Sequence, residues 1–138
     1  MSWVRDRTHL VFKLTDDIDL RGYKYNREVR VDLMNTTSKK TTSISLLLQQ
    51  FLTLFHINEL ILKSIRSKTE FTYDLGDSVS VSYSEFKNKW TVGLRQYYLA
   101  DDGKMTAGKW GVNICPTVWT RTISPRLPKL REYYLFYL

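Results

Sequence analysis

Two stretches of twenty residues, "LTDDIDLRGYKYNREVRVDL" from Leu14 to Leu33 and "LGDSVSVSYSEFKNKWTVGL" from Leu75 to Leu94, carry one apolar pattern 61 positions apart (75 − 14 = 61). Leu14, Ile18, Leu20, Tyr25, Val29, Val31 and Leu33 fall on Leu75, Val79, Val81, Phe86, Trp90, Val92 and Leu94. Within each stretch apolar and polar residues alternate, the signature of strands with one covered face. Further along the offset becomes 68: Ile44, Leu46 and Phe51 meet Val112, Ile114 and Trp119. The second copy therefore has a hairpin seven residues longer (68 − 61 = 7), with Asp102-Gly103 as its turn. Identity between the copies is low, so the repeat lies in the pattern. An ordinary α+β domain with several similar strands is the alternative.

Each copy reads as four strands and a helix. Strands are expected near 8–14, 17–23, 27–34 and 41–46, then a helix from about Leu47 to Arg66. In the second copy they are expected near 70–75, 78–84, 89–99 and 108–114, with Pro116 opening a helix. Pro125 and Pro128 are expected to break that helix, leaving "LREYYLFYL" as a short helix or strand. The four residues between the copies, "SKTE", are too short for a flexible linker. The expectation is an α+β fold: one compact domain over 1–138, made of two tandem strand-strand-strand-strand-helix units, 1–67 and 68–138, packed as a pseudo-dimer of curved antiparallel sheets.

Charge narrows the partner. The chain has 138 residues and a formal charge of +7. Lys and Arg exceed Asp and Glu by 12 to 8 over residues 1–70 and by 9 to 6 over 71–138, so the excess belongs to the folded body rather than to a tail. A basic body favours polyanions, nucleic acid or an anionic surface. The most apolar segment, Ile44 to Ile65, is interrupted by Gln49, Gln50, His56, Asn58 and Glu59, so no membrane partner is expected. The N-terminus has no uninterrupted apolar run and Cys115 is the single cysteine. An intracellular setting is expected, nuclear in a eukaryotic cell or host.

Enzyme chemistry finds little support. His9 and His56 are the two histidines, and His56 sits in an apolar helix. Asp16-Asp17 and Asp101-Asp102 are neighbours that point apart, the glycines form no phosphate loop, and Cys115 reads as a small buried side chain with no zinc motif. No enzyme, cofactor or metal is expected. The stretch from Glu85 to Met105, "EFKNKWTVGLRQYYLADDGKM", carries a different message, because it interleaves Lys87, Lys89 and Arg95 with Phe86, Trp90, Tyr97 and Tyr98. Aromatic faces stack bases at roughly 1–3 kcal/mol each, and cations meet the backbone charge of a single strand. A solvated edge that blocks sheet aggregation is the competing explanation. Alternation turns Trp90, Val92 and Leu94 inward and leaves Thr91, Gly93, Arg95 and Tyr97 on the open face, where Gly93 would let a ligand approach the backbone.

The order of pieces in this half is specific: Val81-Ser82, Phe86-Lys87-Asn88-Lys89, Arg95-Gln96-Tyr97-Tyr98, Asp102-Gly103-Lys104-Met105, Gly108-Lys109 and Pro116-Thr117-Val118-Trp119. Over residues 71–120 it resembles the DNA-binding domain of the transcriptional coactivator positive cofactor four, with its F-K-G-K turn, R-E-Y-W strand end and P-x-x-W helix. The tandem arrangement looks more like the Whirly proteins and the trypanosomal guide-RNA-binding proteins. The resemblance implies single-stranded nucleic acid lying over the sheets, and contacts from Phe86, Lys87, Lys89, Arg95 and Tyr98, with Lys104 and Lys109 as weaker counterparts. Tyr98 replaces a stacking Trp. Trp110 stands where the family has a second basic residue, and its parity with Val112 and Ile114 directs it toward the core. In the first unit Tyr25, Asn26, Glu28 and Met34 take the corresponding places, so that face is expected to bind more weakly.

The expected function is binding of single-stranded DNA with low sequence specificity, in transcription or replication. Single-stranded RNA is the alternative partner, since stacking and phosphate contacts do not read the sugar. A protein-interaction module built on the apolar helix and the C-terminal tail is the alternative from another class. Association of chains through helix 47–66 and tail 133–138 is also expected, because both are broadly apolar.

Overall fold

In the computed structural model the described residues are 10–37 and 41–136, with backbone alone at Leu10 and Phe86. Strands β1 (Leu10–Lys13), β2 (Ile18–Tyr25), β3 (Glu28–Asn35) and β4 (Thr42–Leu47) form sheet one, antiparallel and in sequential order. Helix α1 (Leu48–Ser67) follows. Strands β5 (Phe71–Gly76), β6 (Val79–Phe86), β7 (Lys89–Leu99) and β8 (Met105–Ile114) form sheet two in the same manner. A helical run over 116–136 ends the described chain. The fold is α+β, two antiparallel four-stranded sheets with helices, and the expected elements lie within a few residues of those observed. The exception is β8, whose start at Met105 extends it into the long hairpin. The first residues of the unit expected over 1–67 and the last two of the tail over 133–138 lie outside the described residues.

The two sheets share register. Leu20 opposes Leu33 in sheet one and Val81 opposes Leu94 in sheet two, 61 residues on. Leu46 opposes Val31 and Ile114 opposes Val92, at offsets of 68 and 61. The turns of the β2–β3 and β6–β7 hairpins coincide as well. Asn26 and Arg27 have φ of 51° and 66°, and Lys87 and Asn88 have 53° and 64°. Two left-handed residues in a row give a two-residue turn whose twist suits the flanking strands. Asn tolerates this region better than most side chains, which explains how Asn88 stands in for a turn glycine.

Inward residues of both sheets meet in one core. Val31, Leu33, Ile44 and Leu46 are buried, as are Val81, Val92, Leu94, Val112 and Ile114. Two pairs of the repeated pattern depart from full burial: Val29 and Trp90 are half-buried, and Tyr25 is on the open face at 48% exposure. Helix α1 buries Phe51, Leu54, Ile57 and Ile61, spaced three and four apart, and its second apolar stripe (Leu48, Phe55, Leu62, Ile65) is half-buried against the same core. Leu60 of α1 remains exposed, as do Leu135 and Phe136 at the end of the helical run. No helix among the described residues is long and apolar enough to cross a membrane.

Three buried polar side chains of the first half, Asn35, Gln50 and Asn58, each reach the second half. Asn35 Nδ2 donates to Asn113 O at 2.9 Å, and Gln50 Nε2 donates to Gly76 O at 2.7 Å. Asn58 Nδ2 donates to Ser124 Oγ at 2.8 Å, while its Oδ1 accepts from Trp119 Nε1 at 2.9 Å. A buried donor left unpaired costs about 1–3 kcal/mol, so these bonds admit one relative placement of the halves and penalise others. Strand β4 lies against β8, and α1 against the C-terminal helix.

The prolines do not break the last helix. Residues 116–136 run through α2 (Pro116–Val118), a π-helical turn (Trp119–Ile123), a 3-10 turn (Ser124–Arg126) and α3 (Leu127–Phe136). Ser124 N–H bonds back to Trp119 O across the π turn, and Leu127 N–H to Ser124 O across the 3-10 turn. Changing the hydrogen-bond span in this way leaves the missing N–H groups of Pro125 and Pro128 without an obligatory acceptor, while their fixed φ already suits a helix. The segment expected as helix or strand is helix as far as Phe136, with Tyr134 buried against Phe12 and Phe51.

Candidate nucleic-acid interface

The β7–β8 hairpin projects beyond the core as an arm, and a bulge shapes it. Arg95 opposes Gly111 and Tyr97 opposes Ala107, so Gly108, Lys109 and Trp110 on β8 face Gln96 alone on β7. Glycines bracket the bulge for a steric reason. A Cβ on Gly108 would lie 2.9 Å from Gln96 O, and one on Gly111 would lie 2.8 Å from Leu94 O and 2.9 Å from Arg95 Cζ. Only a residue without Cβ lets β8 fold back this closely on β7 and lets the Arg95 guanidinium rest there.

The bulge resets the alternation, and this overturns the expected placement of Trp110. Its ring is 51% exposed rather than turned to the core, with the Lys109 ammonium 5.0 Å from its centroid. That is cation–π distance. Tyr98 is 53% exposed. An open groove of about 560 Å³ on the arm is lined by Gln96, Tyr97, Tyr98, Lys109 and Trp110, with Ala107 and Gly108 as floor.

The other candidates of sheet two lie along β7 and at its ends. Lys87 is in the left-handed turn before β7, and Lys89 opens that strand opposite Phe86, whose side chain lies outside the described residues. Lys89, Thr91, Arg95 and Tyr97 share a side of β7 by alternation, and Tyr98 alternates to the other. Opposite them on β6 stand Ser84 and Ser80, paired with Thr91 and Arg95. Gly93 does not open the backbone to a ligand: the room above it is taken by Asn113 Oδ1, 3.0 Å from where a Cβ would be, and by Ser82 Oγ at 3.5 Å. Lys104 sits beyond the Asp102-Gly103 turn at the far end of the arm, where its N–H bonds Asp102 Oδ1 at 3.0 Å. Among the described residues Lys89, Arg95, Lys104 and Lys109 form no ion pair.

Sheet one presents the larger groove, about 710 Å³, over its open face. Arg21, Tyr23 and Tyr25 of β2 face Asp32, Arg30 and Glu28 of β3, pair by pair. Sequence reasoning singled out Tyr25 here and missed Arg21, Tyr23 and Arg30, although their two-residue spacing puts them on one face. The charges are internally matched. Arg21 is 3.7 Å from Asp19, Arg30 is 3.0 Å from Glu28, and Tyr23 donates to Asp32 at 3.1 Å. Arg30 also donates through Nε to Ser45 Oγ at 3.1 Å. Burial, and then the Asp32 carboxylate, push the Tyr23 phenol above its ordinary value, over the opposing pull of Ser45 and Arg30.

Cys115 is exposed, contrary to its expected burial, because it precedes Pro116 at the start of the helical run. Partial desolvation pushes the thiol up, but backbone N–H groups of Thr117 and Val118, the Thr117 hydroxyl and the Lys89 charge together hold it below its ordinary value.

Sheet two thus offers an arm with three aromatic rings beside cations, on a strand lined with hydroxyls. The stretch that builds it, residues 73–121, matches the family model Transcriptional Coactivator p15 (PC4), in agreement with the resemblance carried by the turn and strand-end motifs.

Proposed function

We propose that this protein binds single-stranded DNA with little sequence preference and acts in transcription or replication. The observation that carries the reading is the glycine-bracketed bulge, which sets Lys109 and Trp110 beside Tyr97 and Tyr98 within the stretch similar to the coactivator family. Exposed rings next to cations suit a ligand that alternates flat bases with charged phosphates. Tyr97, Tyr98 and Trp110 take the stacking role, together with Phe86. Lys87, Lys89, Arg95, Lys104 and Lys109 meet phosphates. Tyr25 belongs to a weaker face on sheet one. Units 1–67 and 68–138 act as a duplicated pair whose shared register supports a pseudo-dimer inside one chain. No step of this function needs catalysis or a cofactor. Chains associate through helix 47–66 and tail 133–138, where Leu60, Leu135 and Phe136 are exposed, and light scattering would register the larger particle.

The test is a competition titration of labelled single-stranded DNA, single-stranded RNA and duplex, repeated across salt. Single-stranded DNA should bind most tightly, and log affinity should fall with log salt by about 0.7 per phosphate contacted. Tighter binding of RNA would move the assignment to that polymer. Absence of affinity for every oligonucleotide at physiological salt would favour a protein-interaction module.

A further inference from the structure

The open grooves on the two sheets have no residue in common, but each shares walls with a groove that lies between them. A third groove of about 350 Å³ lies over the seam where β4 meets β8. It takes Arg30 and Asp32 from the groove on sheet one, and Gln96 and Trp110 from the groove on the arm. The three form one trough. We propose that a single strand of nucleic acid follows this trough across both sheets, and that Trp110 is the stacking platform at the crossing.

The idea rests on the proposed binding of single strands and goes beyond it, since two sheets related by a repeat would otherwise hold two separate strands. Each part of the trough has a ring and a cation: Tyr98 with Lys109 on the arm, Trp110 with Lys109 at its edge, and Tyr23 and Tyr25 with Arg21 on sheet one. At the seam Arg30 is positioned by Ser45 Oγ on β4, so its guanidinium is already oriented where a backbone would pass. Trp110 lines both the arm groove and the seam groove, the place where a strand on two separate sites would have nothing to stack on. The acids Glu28 and Asp32 make the sheet-one end the weaker part of the path.

The test uses the full chain and oligothymidylates of increasing length, with affinity and stoichiometry read at saturation. Affinity should rise until the strand reaches sheet one and then level, at one strand per chain. Trp110→Ala should weaken long strands about five- to 150-fold, the loss of one stacked base, while Trp110→Phe should keep most of the affinity. Tyr25→Ala should leave short strands unaffected and weaken long ones several-fold. Two strands per chain, or a Tyr25→Ala effect that does not depend on length, would overturn the single path while leaving single-strand binding in place. No binding by the unaltered protein at any length would overturn both.

Discussion

On sheet one, Arg21 and Arg30 each have a carboxylate within 4 Å, whereas on sheet two Lys89, Arg95, Lys104 and Lys109 have no such partner among the described residues. The sheets have the same strand order, and their β2–β3 and β6–β7 hairpins have the same register and turn geometry. Strand order therefore does not set the difference. Two local changes do: the longer β7–β8 hairpin, which lifts rings and cations off the core, and the outward acids of β2 and β3, which neutralise the arginines beside them. Exposed ion pairs stabilise a fold little, so pairing on sheet one mainly lowers its pull on an anion.

The largest expected effect comes from removing the device that separates the sheets. In Gly111→Ala the new Cβ meets the backbone oxygen of Leu94, which cannot step aside without moving a strand, and displaces the Arg95 guanidinium from its resting place. A loss of about 1–3 kcal/mol in stability is expected from overpacking, with a larger loss of oligonucleotide binding as Trp110 and Arg95 shift together. Denaturant unfolding and anisotropy measured on one sample would show it. A variant with unchanged binding would mean that the bulge does not place the site.

That device also marks where sequence reading stopped. Alternation fixes the face of Val112 and Ile114, and it is sound until an extra residue enters the strand. Trp110 lies inside the bulge, where parity no longer decides burial, and it is half exposed instead of in the core. The signal was present as Gly108-Lys109-Trp110-Gly111, glycines on either side of an aromatic in a strand, a pattern that argues for a bulge or close backbone approach. Pro125 and Pro128 misled in another way, since a helix breaker breaks only a uniform hydrogen-bond ladder, and here the ladder changes span around them. Asn35, Gln50 and Asn58 were illegible because their partners are far away in sequence and defined only by the packing of the halves. Both sheets, α1 and the positions of Lys89 and Arg95 on β7 were legible because they rest on local periodicity and turn chemistry.

Next in size is the contrast between stacking rings. Tyr98→Ala should lose about 1–3 kcal/mol of binding where a base is fully stacked, and Tyr25→Ala less, because Glu28 and Asp32 share its groove. Circular dichroism would confirm that both variants fold, as both rings are about half exposed. A greater loss at Tyr25 would reverse the ranking of the sheets without removing the function. A smaller effect should come from charge alone. Arg95→Ala should flatten the slope of log affinity against log salt by about 0.7, one phosphate. Arg21→Ala should change it less, since Asp19 already offsets that charge.

The smallest effect runs in the opposite direction. Glu28 accepts from Arg30 Nη1 at 3.0 Å, and its carboxylate is more than half exposed, so the pair contributes little to folding. Arg30 does not depend on it for position, because Ser45 accepts through its hydroxyl at 3.1 Å and its carbonyl at 3.5 Å. Glu28→Gln should therefore leave unfolding unchanged while removing one negative charge from the groove that a strand would enter. Binding of a long oligothymidylate should tighten about two- to threefold at low salt. The gain should fade as added salt shortens the screening length from about 10 Å at 0.1 M toward about 3 Å at 1 M. An oligothymidylate short enough to occupy only the arm should gain less, because Glu28 is then separated from the phosphates by the width of the seam. Equal gains at both lengths would mean that net charge, rather than the pairing on this face, restrains sheet one. No gain at either would mean that the strand never reaches it.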